Sequence, residues 1–497
     1  MSRTRRAGLA ALVLICSLGL FTVPSPAIAT PALPGAKASD PALASKISGV
    51  LKNSRVTKAT VGVVVADTAS GGELYTKSAT TAISPASNMK LLTSAAALDI
   101  LGPDHRFDTA VYAPAKPASN GTVSRLYLRG NGDPTLREAD LTSLAAQVKA
   151  AGVRRVSGSV VGDGGYFDND KYNNHWDPKD YNASYAAQIS GLTLSPSAAL
   201  RVGTINVTYK PGSKAGKKAV LGVVPALASG YVKLVNKTTT KKAGSGAAIS
   251  LRRSGNTITV SGRVALKRAK ATAVVTISTP ARYAAHVFTR ALRAAGVTVD
   301  GAATTGGTPK SRVTLATDQS VTLSAIVKLL MKPSNNGMTE HLIKTLGRTD
   351  GKAGTWAAGS ARVLRWLKTT QSVPSTVKIV DGSGLAHRNK LTARVVLRVL
   401  QYVRTRDWFA VFHDALPVAG NADPAIGGTL SSRMVGTPAQ NNLRAKTGTL
   451  SGITALSGYV TDATGRLYTF SMLGKYKKNS PRVVFDKVGA TLAGWKG

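Results

Sequence analysis

Between Tyr181 and Val299 the chain carries 18 lysines and arginines and no aspartate or glutamate. A stretch that long without a counter-charge reads as a module of its own, set inside a chain of different composition. Within it, 258–264 and 273–277 run apolar or alternate like strands, and Gly, Ser and Lys turns separate them, which predicts a small β-rich unit. The rest of the 497 residues is ordinary globular material, 43% hydrophobic and 18% charged overall, so disorder is excluded as the main state. The length suggests two to four domains.

The formal net charge of +41 favours anionic surroundings, such as nucleic acid, anionic lipid or a polyanionic cell wall. The first residues choose among these. Arg3, Arg5 and Arg6 precede an apolar run from Ala7 to Val23, and Ala27-Ile28-Ala29 offers small residues for cleavage, the pattern of an export signal over residues 1–29. Gly8 follows Arg5-Arg6 where a larger apolar residue is usual, which favours the general export route over the twin-arginine one. The only cysteine, Cys16, lies in that run, so the mature chain has no disulfide and no cysteine metal site. Export disfavours nucleic acid as a partner and places the mature protein outside the cytoplasm, soluble or peripherally bound. No later apolar stretch approaches 18 residues, so no transmembrane segment is expected in the mature chain. Residues 30–39, rich in Ala and Pro, read as a disordered leader.

Elsewhere the pattern predicts a helix from the Asp40 cap to residue 52, strands over 60–66 and 73–76, and a helix over 87–101. Helices follow over 281–295, 324–331, 340–346, 356–370 and 392–405. Three strands over 443–448, 453–461 and 466–473 precede a closing helix over 482–495. The six histidines show no paired metal-ligand spacing, which disfavours a zinc hydrolase. Asp381-Gly382-Ser383-Gly384 lacks the spacing of a hydrolase nucleophile elbow and reads as a glycine turn.

What remains is serine and lysine chemistry. Ser87 and Lys90 open a predicted helix, where residues three apart share one face with Cβ atoms about 5–6 Å apart. The helix N-terminus favours a developing oxyanion, and burial near a second cation can lower a lysine enough to act as a base. Ser375 and Lys378 repeat the spacing in a strand-like run, where positions i and i+3 face opposite ways. Ser334-Asn335-Asn336 adds a hydroxyl and an amide after an apolar helix. Lys446-Thr447-Gly448-Thr449 lies on a predicted strand, where Gly448 permits close approach of a ligand backbone. Ser254-Gly255-Asn256 repeats the serine–amide pattern in a basic turn and reads as structural.

In that order these motifs resemble the class C low-molecular-mass penicillin-binding proteins, D-alanyl-D-alanine carboxypeptidases and endopeptidases. The interval of 247 positions from Ser87 to Ser334 is similar to the family's and much longer than in compact serine β-lactamases. Arg129-Gly130-Asn131-Gly132-Asp133-Pro134-Thr135-Leu136, Gly162-Asp163 with Tyr166-Phe167-Asp168, the continuation of Ser334-Asn335-Asn336 into Glu340 and Leu342, and Asp381-Gly382-Ser383-Gly384-Leu385 are similar to further family signatures. The resemblance implies a multi-domain α/β fold. A penicillin-binding, transpeptidase-like domain (40–108 and 312–497), an antiparallel sheet flanked by helices, would carry a first inserted domain (109–185 and 281–311), with a basic β-rich domain (186–280) nested in it.

By the same resemblance Ser87 is the acylated nucleophile, Lys90 its base, Ser334 the proton relay to the leaving D-alanine, and Asn336 the group that orients Lys90 and the substrate amide. Lys446, with the Thr447 and Thr449 hydroxyls beside Gly448, holds the terminal carboxylate, and the backbone N–H groups of Ser87 and Thr449 form the oxyanion hole. No cofactor or metal is implied. The partners are peptidoglycan stem peptides, with β-lactams as inhibitors. Asp180 and Tyr185 match the spacing of residues that grip a diamino acid side chain. The family's arginine after Gly-Leu is replaced by Ala386-His387-Arg388, so either Arg388 substitutes or another residue completes that pocket. The basic 181–299 region is either a solvated surface or a hold on anionic wall polymers. A non-catalytic wall-binding protein and a β-lactamase are the competing readings; the intact motif set argues against the first and the long interval against the second.

Overall fold

The computed structural model describes residues 39–497. The predicted export signal and nearly all of the predicted leader lie outside the described residues. A five-stranded antiparallel sheet forms the framework of the site, in the order Arg444–Leu450, Ile453–Thr461, Leu467–Lys475, Thr60–Asp67, Glu73–Lys77. Strands from near both ends of the described residues thus meet in one sheet, with Val63 opposite Met472. Seven of the eight residues in Thr60–Asp67 are buried, because the sheet is covered on both faces and its successive side chains feed two cores. Val63 and Val65 pack with Leu456, Phe470 and Phe485 of the closing helix Arg482–Ala493. Val64 and Ala66 face the helices Met89–Leu101, Asn336–Arg348 and Ala393–Arg404.

The predicted elements are present with ends shifted by a few residues, as frayed termini allow. Asp40 caps the helix Pro41–Leu51 by accepting from the Leu43 N–H. One shift matters for the site. Ser87 does not lie in the α-helix itself; it sits in a 3₁₀ turn, Ala86–Asn88, that feeds Met89–Leu101. Ser375 and Lys378 lie in a turn and a single bridge instead of the predicted strand-like run, and both are exposed.

The long interval between Ser87 and Ser334 holds four further sheets. One has five strands, including Asp108–Ala113, Leu126–Gly130 and Val313–Gln319, and one is a small three-stranded sheet, Thr298–Val299, Arg155–Val156, Thr122–Val123. The acid-free stretch supplies the other two, Lys233–Lys241, Thr257–Ala265, Ala248–Ser254 and Ala271–Thr276, Thr204–Lys210, Val220–Val224. Ser254-Gly255-Asn256 is the hairpin turn of the first of these. Ile205, Val260 and Val275 share a buried cluster with Leu128, Leu144 and Phe288, so the basic strands lean on the rest of the interval rather than forming a core apart. No described helix is long and apolar enough to cross a membrane.

Candidate active site

The Pro85-Ala86-Ser87 turn is held under strain. Ala86 has φ +46°, a left-handed conformation that costs a non-glycine residue about 1 kcal/mol or more. Two glycines from distant segments make the space for it. A Cβ on Gly448 would come within 2.7 Å of the Pro85 carbonyl oxygen, and one on Gly384 would overlap the Ala86 carbonyl. The absent side chain at Gly448 therefore admits the chain's own backbone. The sheet edge and the Asp381–Leu385 turn thereby press directly on the turn that carries Ser87.

Lys90, the second residue of the helix Met89–Leu101, is fully buried. Its Nζ lies 3.2 Å from Ser87 Oγ, 2.7 Å from Asn336 Oδ1 and 2.8 Å from the Ser383 carbonyl oxygen. Burial lowers its pKa to about 7, with the Glu340 and Asp381 carboxylates pulling partly the other way. Two of its three neighbours are carbonyl oxygens that only accept. When the amine is neutral, its two protons serve those acceptors and its lone pair faces Ser87.

The acceptor turn is itself clamped. Glu340, fully buried one turn beyond Asn336, accepts from the N–H groups of Ser383 at 2.7 Å and Gly382 at 3.2 Å, and from the Trp356 indole at 2.6 Å. Burial and Asp381 push its pKa up while these donated bonds hold it down. Asp381 accepts from the Gly384 and Ala386 N–H groups, from Asn389 and from the Trp176 indole. The pattern Asp-Gly-Ser-Gly was visible in the sequence; that its serine contributes a carbonyl oxygen was not, because a backbone contact leaves no side-chain signature.

Ser334 and Lys446 form the opposite wall. Lys446 leaves the edge strand Arg444–Leu450 and its Nζ donates to Ser334 Oγ at 2.8 Å and to the Thr447 carbonyl at 2.9 Å. Burial, with the Lys90 and Arg433 charges adding to it, depresses Lys446 well below the ordinary lysine range. Thr447 Oγ1 lies 2.8 Å from Thr429 Oγ1, a neighbour that no motif announced, and Thr449 is exposed at the rim. Asn335 caps the helix Asn336–Arg348 and donates to the Leu200 carbonyl. Asn336 Nδ2 donates to the Tyr185 carbonyl at 3.0 Å, and the Tyr185 hydroxyl donates to Asp180 at 2.7 Å. The structure thus joins Asp180 and Tyr185 to the site. Among the described residues no hydrogen bond or ion pair links His387 or Arg388 to them, whereas Arg253 stacks over the Tyr181 ring at 5.3 Å.

Buried lysines on either side of a strained serine turn, framed by an antiparallel sheet and helices, define a transpeptidase-like serine enzyme. Residues 43–492 match the D-Ala-D-Ala carboxypeptidase 3 (S13) family, and the chain belongs to that family; it is a serine peptidase of peptidoglycan. It is 40% identical over 479 residues to the D-alanyl-D-alanine carboxypeptidase of an Actinomadura species, covering 95% of this chain and 88% of that one. It is 28% identical over 492 residues to carboxypeptidase DacB of Mycolicibacterium smegmatis, covering 94% and 88%. The fold is similar to that of penicillin binding protein 4 (dacB) from Haemophilus influenzae, with a TM-score of 0.76 at 22% identity over 90% of this chain and 99% of that one.

Proposed function

We propose that the chain hydrolyses the D-Ala-D-Ala ends or peptide cross-links of peptidoglycan through an acyl-enzyme on Ser87. Neutral Lys90 takes the Ser87 proton as Oγ attacks the penultimate D-alanine carbonyl. The backbone N–H groups of Ser87 and Thr449 receive the oxyanion. As the C–N bond breaks, the Ser334 hydroxyl gives its proton to the leaving nitrogen and regains one from Lys446; the proton held by Lys90 restores Lys446. Water then gives Lys90 a proton and attacks the acyl carbon, and Ser87 recovers its proton as the ester opens. Asn336 orients Lys90 and the substrate amide, and Lys446, Thr447 and Thr449 beside Gly448 hold the terminal carboxylate. Asp180 and Tyr185 take the side chain of the stem's diamino acid. The observation that carries this reading is Lys90, buried, lowered to about 7, and within 3.2 Å of Ser87 Oγ.

A β-lactam mimics the peptide and acylates the same serine, in keeping with a solved complex of the Haemophilus influenzae relative with a β-lactam. Incubation with labelled penicillin and mass mapping should place one adduct on Ser87 that releases slowly. No adduct there sinks the assignment, and fast release marks a β-lactamase instead.

The chain acts outside the cytoplasm, exported by residues 1–29, with the catalytic domain at 40–108 and 312–497, the first insertion at 109–185 and 281–311, and the nested domain at 186–280. The nested strands hold the enzyme to anionic wall polymers. Supporting this, Lys233, Lys237 and Lys241 stand exposed on one face of a sheet strand, and alternation puts Arg252 and Arg263 on that same face with no acid among them. Binding of the full chain to isolated wall polymer should weaken steeply as salt rises; salt-independent binding refutes it.

A further inference from the structure

The helix Asn336–Arg348 carries a fully buried lysine that the reaction proposed above does not use. Lys344 lies four positions after Glu340, on the same face of the helix. Its Nζ donates to Asp168 Oδ1 at 2.5 Å and to the Asp170 carbonyl at 2.7 Å, so it ties this helix to the inserted segment that begins Tyr166-Phe167-Asp168. The same Nζ stands 3.9 Å from the centre of the Trp356 ring, and that indole donates to Glu340 at 2.6 Å. A continuous run of contacts therefore leads from Asp168 through Lys344, Trp356 and Glu340 to the Ser383 backbone, whose carbonyl receives Lys90.

Charge balance gives this run a purpose. Lys90 must be neutral before it takes the Ser87 proton, and Glu340 and Asp381 then lose its charge. Burial and Asp381 push Glu340 toward its protonated form. A protonated Glu340 would accept more weakly from the Ser383 and Gly382 N–H groups, and the carbonyl that fixes the amine would loosen. Lys344 is the cation that remains. Burial lowers its pKa, while Asp168, Asp170 and Glu340 pull it back up. The other titratable groups packed nearby do not replace it. His341 lies against the Gly337 and Ser190 carbonyls and is held neutral, its pKa lowered to about 4 by burial. Arg348 turns away to the Tyr166 ring and carbonyl. Arg362 and Arg365, on the helix Trp356–Thr370, pair with Asp350.

We propose that Lys344 is a positioning residue for acylation: its fixed charge keeps Glu340 ionised after Lys90 has become neutral, and so keeps the Ser383 carbonyl turned toward the base. The inference rests on Lys90 as the base of Ser87. It also gives Asp168, in the inserted region, a part in the reaction, because that carboxylate holds the cation in place.

The test follows penicillin acylation of the full chain from pH 5 to 9.5. In Lys344→Met a cation is gone, so the interacting Lys90 and Glu340 bind their shared proton more readily. The midpoint of the acid limb should rise by about one pH unit and the rate at pH 7 fall about fivefold, while the rate at pH 9.5 returns to within about threefold of wild type. Loosened packing alone would lower the rate at every pH. Lys344→Arg, with the charge kept, should leave the midpoint in place. In the Glu340→Gln background the methionine substitution should move the midpoint no further, since its effect runs through the carboxylate. An unmoved midpoint in folded Lys344→Met, an equal rise in Lys344→Arg, or an equal rise without Glu340 overturns the proposal. A measurement that needs no change at Lys344 is the infrared difference between wild type and Glu340→Gln at pH 9, which should show an ionised carboxylate; a protonated carboxyl there also overturns it. A wild type with no penicillin adduct on Ser87 overturns the peptidase reading and this inference with it, whereas a normal adduct with an unmoved midpoint overturns this inference alone.

Discussion

Lys446 Nζ meets Ser334 Oγ at 2.8 Å, and Ser334 is held in the left-handed backbone region at φ +60°. The hydroxyl is thus aimed by a strained backbone whose cost, on the order of 1 kcal/mol, the surrounding contacts must offset. Asn335 supplies part of that hold through its cap on Met338 and its bond to Leu200.

If Ser334 relays the proton, Ser334→Ala should lower kcat for D-alanine release by about 100-fold or more, while the melting temperature changes little because the strained backbone is unchanged. Equal kcat in variant and wild type removes Ser334 from the reaction.

In the proposed reaction, acylation needs neutral Lys90. With its pKa lowered to about 7, the second-order rate of penicillin acylation should climb about tenfold per pH unit below 7 and level off above it. A rate flat from pH 5 to 8 contradicts the base assignment.

Glu340 raises the Lys90 pKa by its charge and positions the Ser383 carbonyl by accepting from two N–H groups. In Glu340→Gln both effects weaken. The acid limb of the same profile should move to lower pH as the amine is released from the carboxylate, and the plateau should drop by about tenfold as the turn loosens. A lower plateau with an unmoved midpoint leaves Glu340 a purely structural part.

Gly448→Ala tests how the edge strand packs on the serine turn. The new Cβ would lie 2.7 Å from the Pro85 oxygen and 2.9 Å from the Ala455 Cβ, so the strand must shift, at a cost of about 1–3 kcal/mol. Urea unfolding should show that loss, and the acylation rate should fall with it. A variant as stable as the wild type argues against the close approach.

Much of this was legible in the sequence because the relevant contacts follow local periods. Ser87 and Lys90 meet through helical spacing, Lys446 stands on a strand predicted from its local run, and the acid-free stretch marked itself by composition. The parts that stayed hidden join positions far apart through backbone atoms. Lys90 reaches the Ser383 carbonyl across 293 positions, and a carbonyl is the same in every residue. The 3₁₀ turn at Ser87 escaped because local periodicity does not report the pressure of Gly384 and Gly448. A groove beside Ser334 gathers residues 198–202, the helix Leu323–Met331 and Pro424-Ala425, a convergence no single segment foretells.

The bond from Asn336 to the Tyr185 carbonyl also tells the two ends of one amide apart. The same group serves Lys90 through its oxygen and the Tyr185 backbone through its nitrogen. A flip of that amide would set N–H against the Lys90 amine's protons and oxygen against a carbonyl, two repulsive contacts at once. The Tyr185 backbone thus helps keep an acceptor, and not a donor, turned toward Lys90.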